Sequence, residues 1–266
     1  MKEFTILKIG GNILDNPASL ESLLDYFSRM PGHRALVHGG GKIASVLMKR
    51  MGIEPLMVEG RRVTDPATLN IVVMVYAGLI NKSIVSALQS RGCDALGLSG
   101  ADAGAVPAHK RPAGTVDYGL VGDVDTDLIP ADRIARFVDE GLVPVFAPIT
   151  HDRAGQLLNT NADTMASSVA IAMSRKYQTT LVYCFEKPGV LMNATDESSV
   201  IASLNEPQFL QYKAEGIITA GMIPKLENAF DALRKGVSAV RICGPEAFLK
   251  TGGHPGTLIT LNTLAS

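Results

Sequence analysis

The first residues able to bind an anion lie in a glycine-rich turn near the start of the chain. Residues 4–9 read as a buried strand, and the chain continues as Gly10-Gly11-Asn12. Lys8 is therefore predicted near the carboxyl end of a strand, where ligands bind in open α/β sheets. Glycine lets the backbone approach a phosphate closely, and a nearby lysine neutralises its charge. Taken alone, the motif is better explained by a tight turn with Lys8 reaching solvent.

A second glycine-rich turn follows the next predicted strand, at His38-Gly39-Gly40-Gly41-Lys42. Its backbone amides could also hold an anion, and two such turns on consecutive strands strengthen the interpretation. Neither turn fits the dinucleotide pattern G-x-G-x-x-G or the phosphate-loop pattern G-x-x-x-x-G-K-[ST], which disfavours both of those enzyme classes. His38 at such a position is more often a structural residue than a base.

Two later segments place polar residues before predicted helices. In Gly60-Arg61-Arg62-Val63-Thr64 an arginine is suited to bidentate recognition of a carboxylate, although a solvated basic pair is the default. In Asn159-Thr160-Asn161-Ala162-Asp163 the amides and the carboxylate could simply cap the helix. The functional alternative gives Asn159 a substrate contact and Asp163 the orientation of cationic groups.

A lysine also stands near a predicted helix start in the run Gly216 to Lys225. A cation there opposes the helix dipole, which mildly indicates that Lys225 faces a bound anion. A surface lysine on an amphipathic helix is the commoner explanation.

Strands and helices alternate along the chain, which predicts a mainly parallel sheet with helices on both faces. Strands are predicted at residues 4–9, 34–38, 95–98, 142–147, 179–184, 237–243 and 257–261. Helices are predicted at residues 17–30, 42–51, 66–91, 130–140, 162–177 and 222–235. Residues 106–124 are rich in glycine and polar residues, and predict a hairpin that projects from the sheet.

Composition narrows the classes of protein. The formal net charge is −1, with scattered lysines and arginines, which gives no general attraction to nucleic acid or an anionic membrane. The opening residues lack a secretory signal, and Gly78, Asn81 and Lys82 interrupt the most apolar stretch, at 71–84, so we expect a soluble cytoplasmic protein. Three cysteines far apart predict buried free thiols and no metal site.

The motifs KIGGN, HGGGK, GRRVT, NTNAD and GIITAGMIPK, in that order across nearly the whole chain, resemble those of the acetylglutamate kinases, within the amino acid kinase family. The resemblance implies an αβα three-layer sandwich. Residues 1–177 would form a lobe for the acyl-amino acid and dimerisation, and residues 178–266 a lobe for the nucleotide. The implied reaction is phosphorylation of the side-chain carboxylate of N-acetyl-L-glutamate by Mg²⁺-ATP in arginine biosynthesis.

Site residues carry over from the resemblance position by position. It implies catalytic roles for Lys8, Asp163 and Lys225. It implies contacts with the acyl-amino acid from Gly40, Gly41, Arg62 and Asn159. It implies contacts with the nucleotide or its transferring phosphate from Gly10, Gly11, Glu186, Gly189, Ile217, Ile218 and Thr219.

That chemistry suits these residue types. A side-chain carboxylate is ionised at neutral pH and needs no general base, so positioning and charge neutralisation are enough. Lys8 would stabilise the transferring phosphoryl group, Lys225 the leaving side, and Mg²⁺ would bridge the nucleotide phosphates. The acyl phosphate product is labile, which gives the 106–124 hairpin a role as part of a lid.

The chain departs from the family pattern at two places. After the strand at 179–184 it reads Phe185-Glu186-Lys187-Pro188-Gly189-Val190, where relatives show a small hydroxyl residue and an aspartate. Arg61 stands where some relatives carry an apolar residue, and His109, Lys110 and Arg111 add positive charge to the hairpin. These cations would suit a second carboxylate, as in N-succinyl-L-glutamate, although solvated hairpin charges explain them equally well.

The resemblance also bears on assembly. Lys8 lies close to the start of the printed chain, without the N-terminal helix that accompanies hexameric, arginine-inhibited members, so we expect an arginine-insensitive homodimer. The apolar helix at 66–91 would form the dimer face, or would simply belong to the core.

Three other functions compete with this one. The chain could act on another acid such as aspartate, glutamate or carbamate, against which Arg62 and the NTNAD motif argue. It could be a non-catalytic metabolite-binding member of the fold, which the altered EKPG loop keeps open. A dinucleotide-binding oxidoreductase is disfavoured, because Glu21 and Asp25 lie inside a predicted helix, not at a strand end where a ribose ligand would stand.

Overall fold

The computed structural model describes residues 1–218, 221–250 and 256–261. Its strands are β1 (Glu3–Ile9), β2 (His33–His38), β3 (Met57–Val58), β4 (Arg61–Arg62), β5 (Ala95–Leu98), β6 (Ala108–Lys110), β7 (Gly122–Val124), β8 (Val143–Phe146), β9 (Ile149–His151), β10 (Leu157–Asn159), β11 (Gln178–Cys184), β12 (Ser203–Asn205), β13 (Ala239–Cys243) and β14 (Thr257–Thr260). Its α-helices are α1 (Gly11–Leu14), α2 (Pro17–Arg29), α3 (Gly41–Arg50), α4 (Pro66–Val73), α5 (Asn81–Gln89), α6 (Ala131–Asp139), α7 (Ala162–Ser174), α8 (Glu206–Ala214), α9 (Ile223–Arg234) and α10 (Pro245–Lys250).

The main sheet of the described residues has eight strands in the order β12-β14-β13-β11-β1-β2-β8-β5. The six strands from β13 to β5 are parallel, while β14 runs antiparallel to β13 and carries β12 beside it in its own direction. Strands β1, β2, β5 and β8 occupy one side of the sheet, and β11 to β14 occupy the other. The prediction of a mainly parallel αβα sandwich is confirmed.

Strand alternation divides the core into two layers. Phe4 and Ile6 of β1 pack in the cluster that holds the apolar faces of α6, α7 and α9. Leu7 and Ile9 pack in the opposite cluster, with α2, α3 and α4. Because side chains alternate along a strand, Lys8 shares the α7 face with Ile6. This parity decides which helix the lysine can meet.

Helix starts gather at the carboxyl edge of the parallel strands, because each crossover helix runs back against the strand that follows it. Asn161 caps α7 by accepting hydrogen bonds from the backbone amides of Asp163 and Thr164. Helix α9 packs against α7 and begins with Pro224 in its first turn. Residues in the first turns of both helices therefore face the same edge of the sheet.

The hairpin predicted at 106–124 is present as the antiparallel pair β6 and β7. The segment that returns from the tip of the hairpin is hydrogen-bonded to two other parts of the chain. Thr64 donates a backbone hydrogen bond to Tyr118 and accepts one from Leu120, and the amide of Asn159 donates to the carbonyl of Leu120. The hairpin is thereby fixed beside two of the motifs singled out in the sequence, while residues 112–115 lie exposed at its tip.

The apolar helix predicted at 66–91 runs continuously through α4, a π-helical segment (Met74–Ile80) and α5. It spans 24 residues, which confirms the predicted helix. By length and composition it could cross a membrane, so the expectation that Gly78, Asn81 and Lys82 make its apolar stretch too short and too polar to do so was wrong. Core helices of soluble proteins pass the same test, and 44% of its most apolar window is buried within the protein, so this is weak support for a membrane span.

Several short elements escaped sequence prediction. The pairs β3–β4 and β9–β10, the strand β12 and the helices α8 and α10 were not predicted. A signal for α8 was present, since Asn205 and Gln208 form a capping box. The three cysteines, Cys93, Cys184 and Cys243, are buried free thiols as expected.

Candidate active site

Two lysines and one aspartate meet at the carboxyl edge of the sheet. The Lys8 ammonium lies 2.6 Å from Asp163 Oδ1, and Lys225 donates a hydrogen bond of 2.6 Å to Asp163 Oδ2. Both contacts are short ion pairs between opposite charges. Two ammonium groups around one carboxylate leave a net positive charge for an incoming anion.

The fold accounts for each member of this cluster. Lys8 is the penultimate residue of β1, and it points toward α7 for the parity reason given above. Asp163 is the second residue of α7, and Lys225 is the third residue of α9. A carboxylate in the first turn of a helix is favoured by the dipole, whereas the lysine there is not. Asp163 offsets that unfavourable placement of Lys225.

Burial raises the free-energy cost of any unpaired charge in this cluster. The Asp163 side chain is 13% exposed and that of Lys8 is 8% exposed. Burial raises the pKa of Asp163, but the charges and hydrogen bonds of Lys8 and Lys225 outweigh it and lower the pKa from 3.8 to about 2. The carboxylate is therefore ionised at neutral pH.

A cavity of about 220 Å³ opens beside the cluster. Its walls include both glycine turns, the end of the β3–β4 pair, the β6–β7 hairpin and the start of α7. The lining residues that enter the argument are Gly11, Gly40, Gly41, Arg61, Arg62, Tyr76, Arg111, Asp123 and Asn159. The residues predicted to hold the acyl-amino acid thus share one cavity.

Arg62 is held rigidly in the wall of this first cavity. Its Nη2 donates to the carbonyl of Gly41 at 2.8 Å and to Ser45 Oγ at 2.7 Å, while Nη1 contacts Met48 Sδ at 3.2 Å. Arg62 is 7% exposed, and in the described part of the chain no carboxylate pairs with it. A buried, unpaired guanidinium is costly, which favours a site for an anionic ligand.

Asn159 reaches the same cavity from the opposite side. Its Nδ2 donates to Thr64 Oγ1 at 3.0 Å, and Thr64 Oγ1 in turn donates to the carbonyl of Arg62. Three buried residues from β4, β10 and the loop between β4 and α4 are thereby connected. The geometry ties the GRRVT and NTNAD motifs into one unit.

The second glycine turn can pack against Tyr76 and Ile80 only because its residues lack side chains. Gly40 has φ +151°, and a Cβ there would overlap Ile80 Cδ1 and lie 3.0 Å from Tyr76 Cδ1. His38, just before the turn, is fully buried, and its Nδ1 bonds the Gly39 carbonyl at 2.8 Å. Burial lowers the pKa of His38 to about 4, so it is neutral at pH 7 and supports the turn structurally.

A second cavity of about 280 Å³ lies on the other side of the cluster and includes Lys225 in its wall. Of the residues predicted to touch a nucleotide, Glu186, Gly189, Ile217 and Ile218 line it. Gly11 lines the first cavity instead, and Gly10 lines neither, its amide being bonded to the Cys184 carbonyl. Thr219 lies outside the described residues.

The altered EKPG loop is firmly packed. Lys187 pairs with Glu197 at 2.9 Å, and the backbone of Lys187 and Pro188 lies against Gly244, where a Cβ would come 3.0 Å from the Lys187 carbonyl oxygen. The Lys187 side chain therefore forms an ion pair at the protein surface.

Tyr76 and Asp123 were missed by sequence reasoning, although both line the first cavity. Tyr76 lies inside a long apolar helix, where periodicity marks it only as core. Asp123 accepts two hydrogen bonds of 3.1 Å from Arg111 Nε, across the hairpin. A cross-strand pair of this kind depends on the register of the hairpin, which composition does not specify.

The described fold and site define a class: an αβα sandwich whose carboxyl edge carries a Lys–Asp–Lys cluster and two cavities, the second of which includes Lys225 in its wall. The sequence pattern of the amino acid kinase family matches residues 3–244. The chain belongs to the amino acid kinase family, as the resemblance of its motifs predicted.

Full-length relatives agree with this assignment. An acetylglutamate kinase of Bacteroides fragilis is 50% identical over 254 residues, which span 95% of this chain and 97% of that protein. An acetylglutamate kinase of Cytophaga hutchinsonii is 48% identical over 251 residues, 94% of each chain.

The solved structure of N-acetylglutamate synthase from Neisseria gonorrhoeae, complexed with coenzyme A and N-acetyl-glutamate, matches with a TM-score of 0.81 and 21% identity. The match covers 98% of this chain and 60% of that chain. At this identity the likeness concerns the fold.

Acid should weaken the protein through Asp163. Because its pKa in the folded state lies below the ordinary value, its stabilising effect is complete above about pH 5 and is lost as the pH falls through 3.8 toward 2. We expect Asp163→Asn to unfold more easily at neutral pH, and the gap to wild type to shrink by roughly 2 kcal/mol at acid pH. Denaturant unfolding at several pH values measures this. Asp132→Asn, at an exposed surface ion pair, is the control. A difference in unfolding free energy between wild type and Asp163→Asn that stays constant with pH would contradict a lowered pKa of Asp163.

The two glycine turns should respond differently to alanine. In Gly40→Ala the side chain meets Ile80 and Tyr76 on a left-handed backbone, so we expect a loss of roughly 1–3 kcal/mol of stability. Gly11→Ala has open space within the protein, so its stability should stay within about 0.5 kcal/mol of wild type. Its catalytic efficiency should nevertheless fall at least about tenfold, since the methyl group would enter the first cavity, where we expect the substrate to bind. Full activity of Gly11→Ala would show that no ligand approaches this glycine.

Proposed function

We propose that this protein transfers the γ-phosphoryl group of ATP to the side-chain carboxylate of N-acetyl-L-glutamate, a step of arginine biosynthesis in the cytoplasm. Membership of the family and the acetylglutamate kinases about 50% identical over nearly the full chain support this reaction. The single structural observation that carries it is the cluster of Lys8, Asp163 and Lys225 between two cavities.

The cluster suits transfer to a carboxylate in particular. A carboxylate nucleophile is already ionised at neutral pH, so the protein need only align it and neutralise charge. Lys8 would stabilise the phosphoryl group in transfer, and Lys225, which lines the second cavity, would stabilise the leaving phosphate. Asp163 holds both ammonium groups in place and does not act as a base, since its pKa is about 2.

The first cavity would hold the acyl-amino acid. We assign Arg62 to the α-carboxylate, because its guanidinium is buried, braced and without a carboxylate partner among the described residues. Asn159 and the backbone of Gly40 and Gly41 would contact the remaining polar groups. Gly11, in the same wall, would border the transferring phosphate.

The second cavity would hold the nucleotide, with Ile217 and Ile218 against the base and Glu186 available to accept hydrogen bonds from ribose hydroxyls. Within the described residues no three metal-binding side chains come together. A magnesium ion would therefore be held mainly by the nucleotide phosphates, where it neutralises their charge. We therefore assign residues 1–177 to a lobe for the acyl-amino acid and residues 178–266 to a lobe for the nucleotide, which the separation of their described strands to two sides of one sheet supports.

N-succinyl-L-glutamate is the second candidate substrate, because two further arginines line the first cavity. Arg61 lies in its wall beside Arg62, and Arg111 enters from the hairpin with Asp123 as its partner. Arg111 is largely neutralised by that pair, which leaves Arg61 as the better candidate to meet a second carboxylate.

A coupled assay of ADP release decides between these functions. With Mg²⁺-ATP we expect turnover of N-acetyl-L-glutamate and a loss of at least about a hundredfold in kcat for Lys8→Ala. Lys42→Ala, an exposed lysine paired with Asp15, should keep normal activity. Preference for the succinyl compound that Arg61→Leu abolishes would favour the second substrate. Failure to phosphorylate either compound would contradict the proposal and favour a non-catalytic binding protein.

We propose further that the protein forms a homodimer through the outer face of the helix Pro66–Gln89. Met74 is 51% exposed and Leu79 is 59% exposed on that face, although both belong to an otherwise core-forming helix. Large exposed apolar side chains on one face favour an interface between copies.

Replacement of the exposed leucine tests the dimer. We expect sedimentation velocity to give a dimer for wild type and a larger monomer fraction for Leu79→Asp, because a charge would be buried at the interface. Leu210→Asp, at an equally exposed leucine of α8, is the matched control and should stay dimeric. A wild-type monomer or hexamer would contradict this assembly.

A further inference from the structure

The π-helical segment Met74–Ile80 places the side chain of Tyr76 in the wall of the first cavity. Tyr76 and Ile80 both face inward from this segment, and both touch the position that a side chain at Gly40 would occupy. The Tyr76 ring lies with Cδ1 and Cε1 at 3.0 and 3.1 Å from that position. The glycine turn and the π segment therefore fit each other closely, and π-helical turns often occur at functional sites.

The Tyr76 hydroxyl and Arg62 converge on one point in the cavity. The position where a Cβ would leave Gly41 is 3.8 Å from Tyr76 Oη and 3.9 Å from Arg62 Nη2. Glycine at residue 41 keeps this space open. A polar group that enters this space would come near both the phenol and the guanidinium.

Hydrogen-bond capacity indicates which group fits. Arg62 has donors only, so it can give a hydrogen bond to Tyr76 Oη but cannot accept the phenolic proton. The proton must then point to a different acceptor. Burial raises the pKa of Tyr76, against a smaller lowering by the Arg62 charge, so the phenol stays protonated at neutral pH. A protonated phenol beside a guanidinium is a pair of donors suited to a carboxylate.

We propose that Tyr76 is a specificity-determining residue whose hydroxyl donates a hydrogen bond to the same substrate carboxylate that Arg62 binds. This inference rests on the proposed function, in which that group is the α-carboxylate of an N-acylated glutamate. The ring packs against Gly40, and the hydroxyl recognises the ligand. The two roles can therefore be separated by substitution.

Tyr76→Phe removes only the hydroxyl and keeps the ring against Gly40. We compare N-acetyl-L-glutamate with N-acetyl-4-aminobutyrate, which lacks only the α-carboxylate, by calorimetric binding without nucleotide and by the ADP-release assay. Loss of one hydrogen bond to a charged group should weaken binding of N-acetyl-L-glutamate about tenfold to a hundredfold, with KM raised and kcat little changed. Binding of the decarboxylated compound should be the same in both proteins. The KM for ATP should not move.

The matched control is Tyr26→Phe, which removes a hydroxyl from a tyrosine of α2 that packs on Phe248, away from the cavity. It should behave as wild type with both compounds. An equal loss for both compounds in Tyr76→Phe would assign the hydroxyl a structural role and overturn the inference, as would no loss for either. A wild type that binds N-acetyl-L-glutamate without phosphorylating it would overturn the proposed reaction alone. The calorimetric comparison of the two compounds would still test the role of Tyr76. A wild type that binds neither compound would overturn both proposals.

Discussion

The carboxylate of Asp163 between the ammonium groups of Lys8 and Lys225 is the interaction on which the rest of the site depends. Two lysines this close would repel each other, and burial makes each charge more costly. A carboxylate within 2.6 Å of both offsets that repulsion. Unit charges about 4 Å apart attract by roughly 4 kcal/mol at an effective dielectric constant near 20, so each ion pair of the cluster is strongly favourable. It keeps one positive charge in excess, which an anionic ligand can satisfy.

Three long-range features of the fold bring this cluster together. The parity of β1 turns Lys8 toward α7, the capping of α7 by Asn161 sets the position of Asp163, and the packing of α9 on α7 delivers Lys225. Each feature is ordinary by itself. Their coincidence at one edge of the sheet follows from parallel strands joined by crossover helices, which place helix starts and strand ends side by side.

The first cavity shows a different principle, in which polar groups are braced before any ligand arrives. Arg62 contacts Gly41, Ser45 and Met48, and Asn159 donates a hydrogen bond to Thr64. Such bracing lowers the entropy lost on binding, since the side chains are already in position. The β6–β7 hairpin contributes to the same end, because its returning chain is bonded to Thr64 and to Asn159.

By itself the sequence determined the parallel αβα architecture, the five motifs and the family, since these depend on local periodicity and on short runs of residues. It also indicated which arginine and lysines could bind an anion and which aspartate could orient cationic groups. Only the tertiary structure decided that Gly11 and Tyr76 line the first cavity and that Lys187 pairs with Glu197. The physical reason is distance along the chain: these contacts depend on helix packing, strand parity and hairpin register between residues far apart in sequence. A local pattern specifies which elements form, but the packing of those elements specifies which side chains meet.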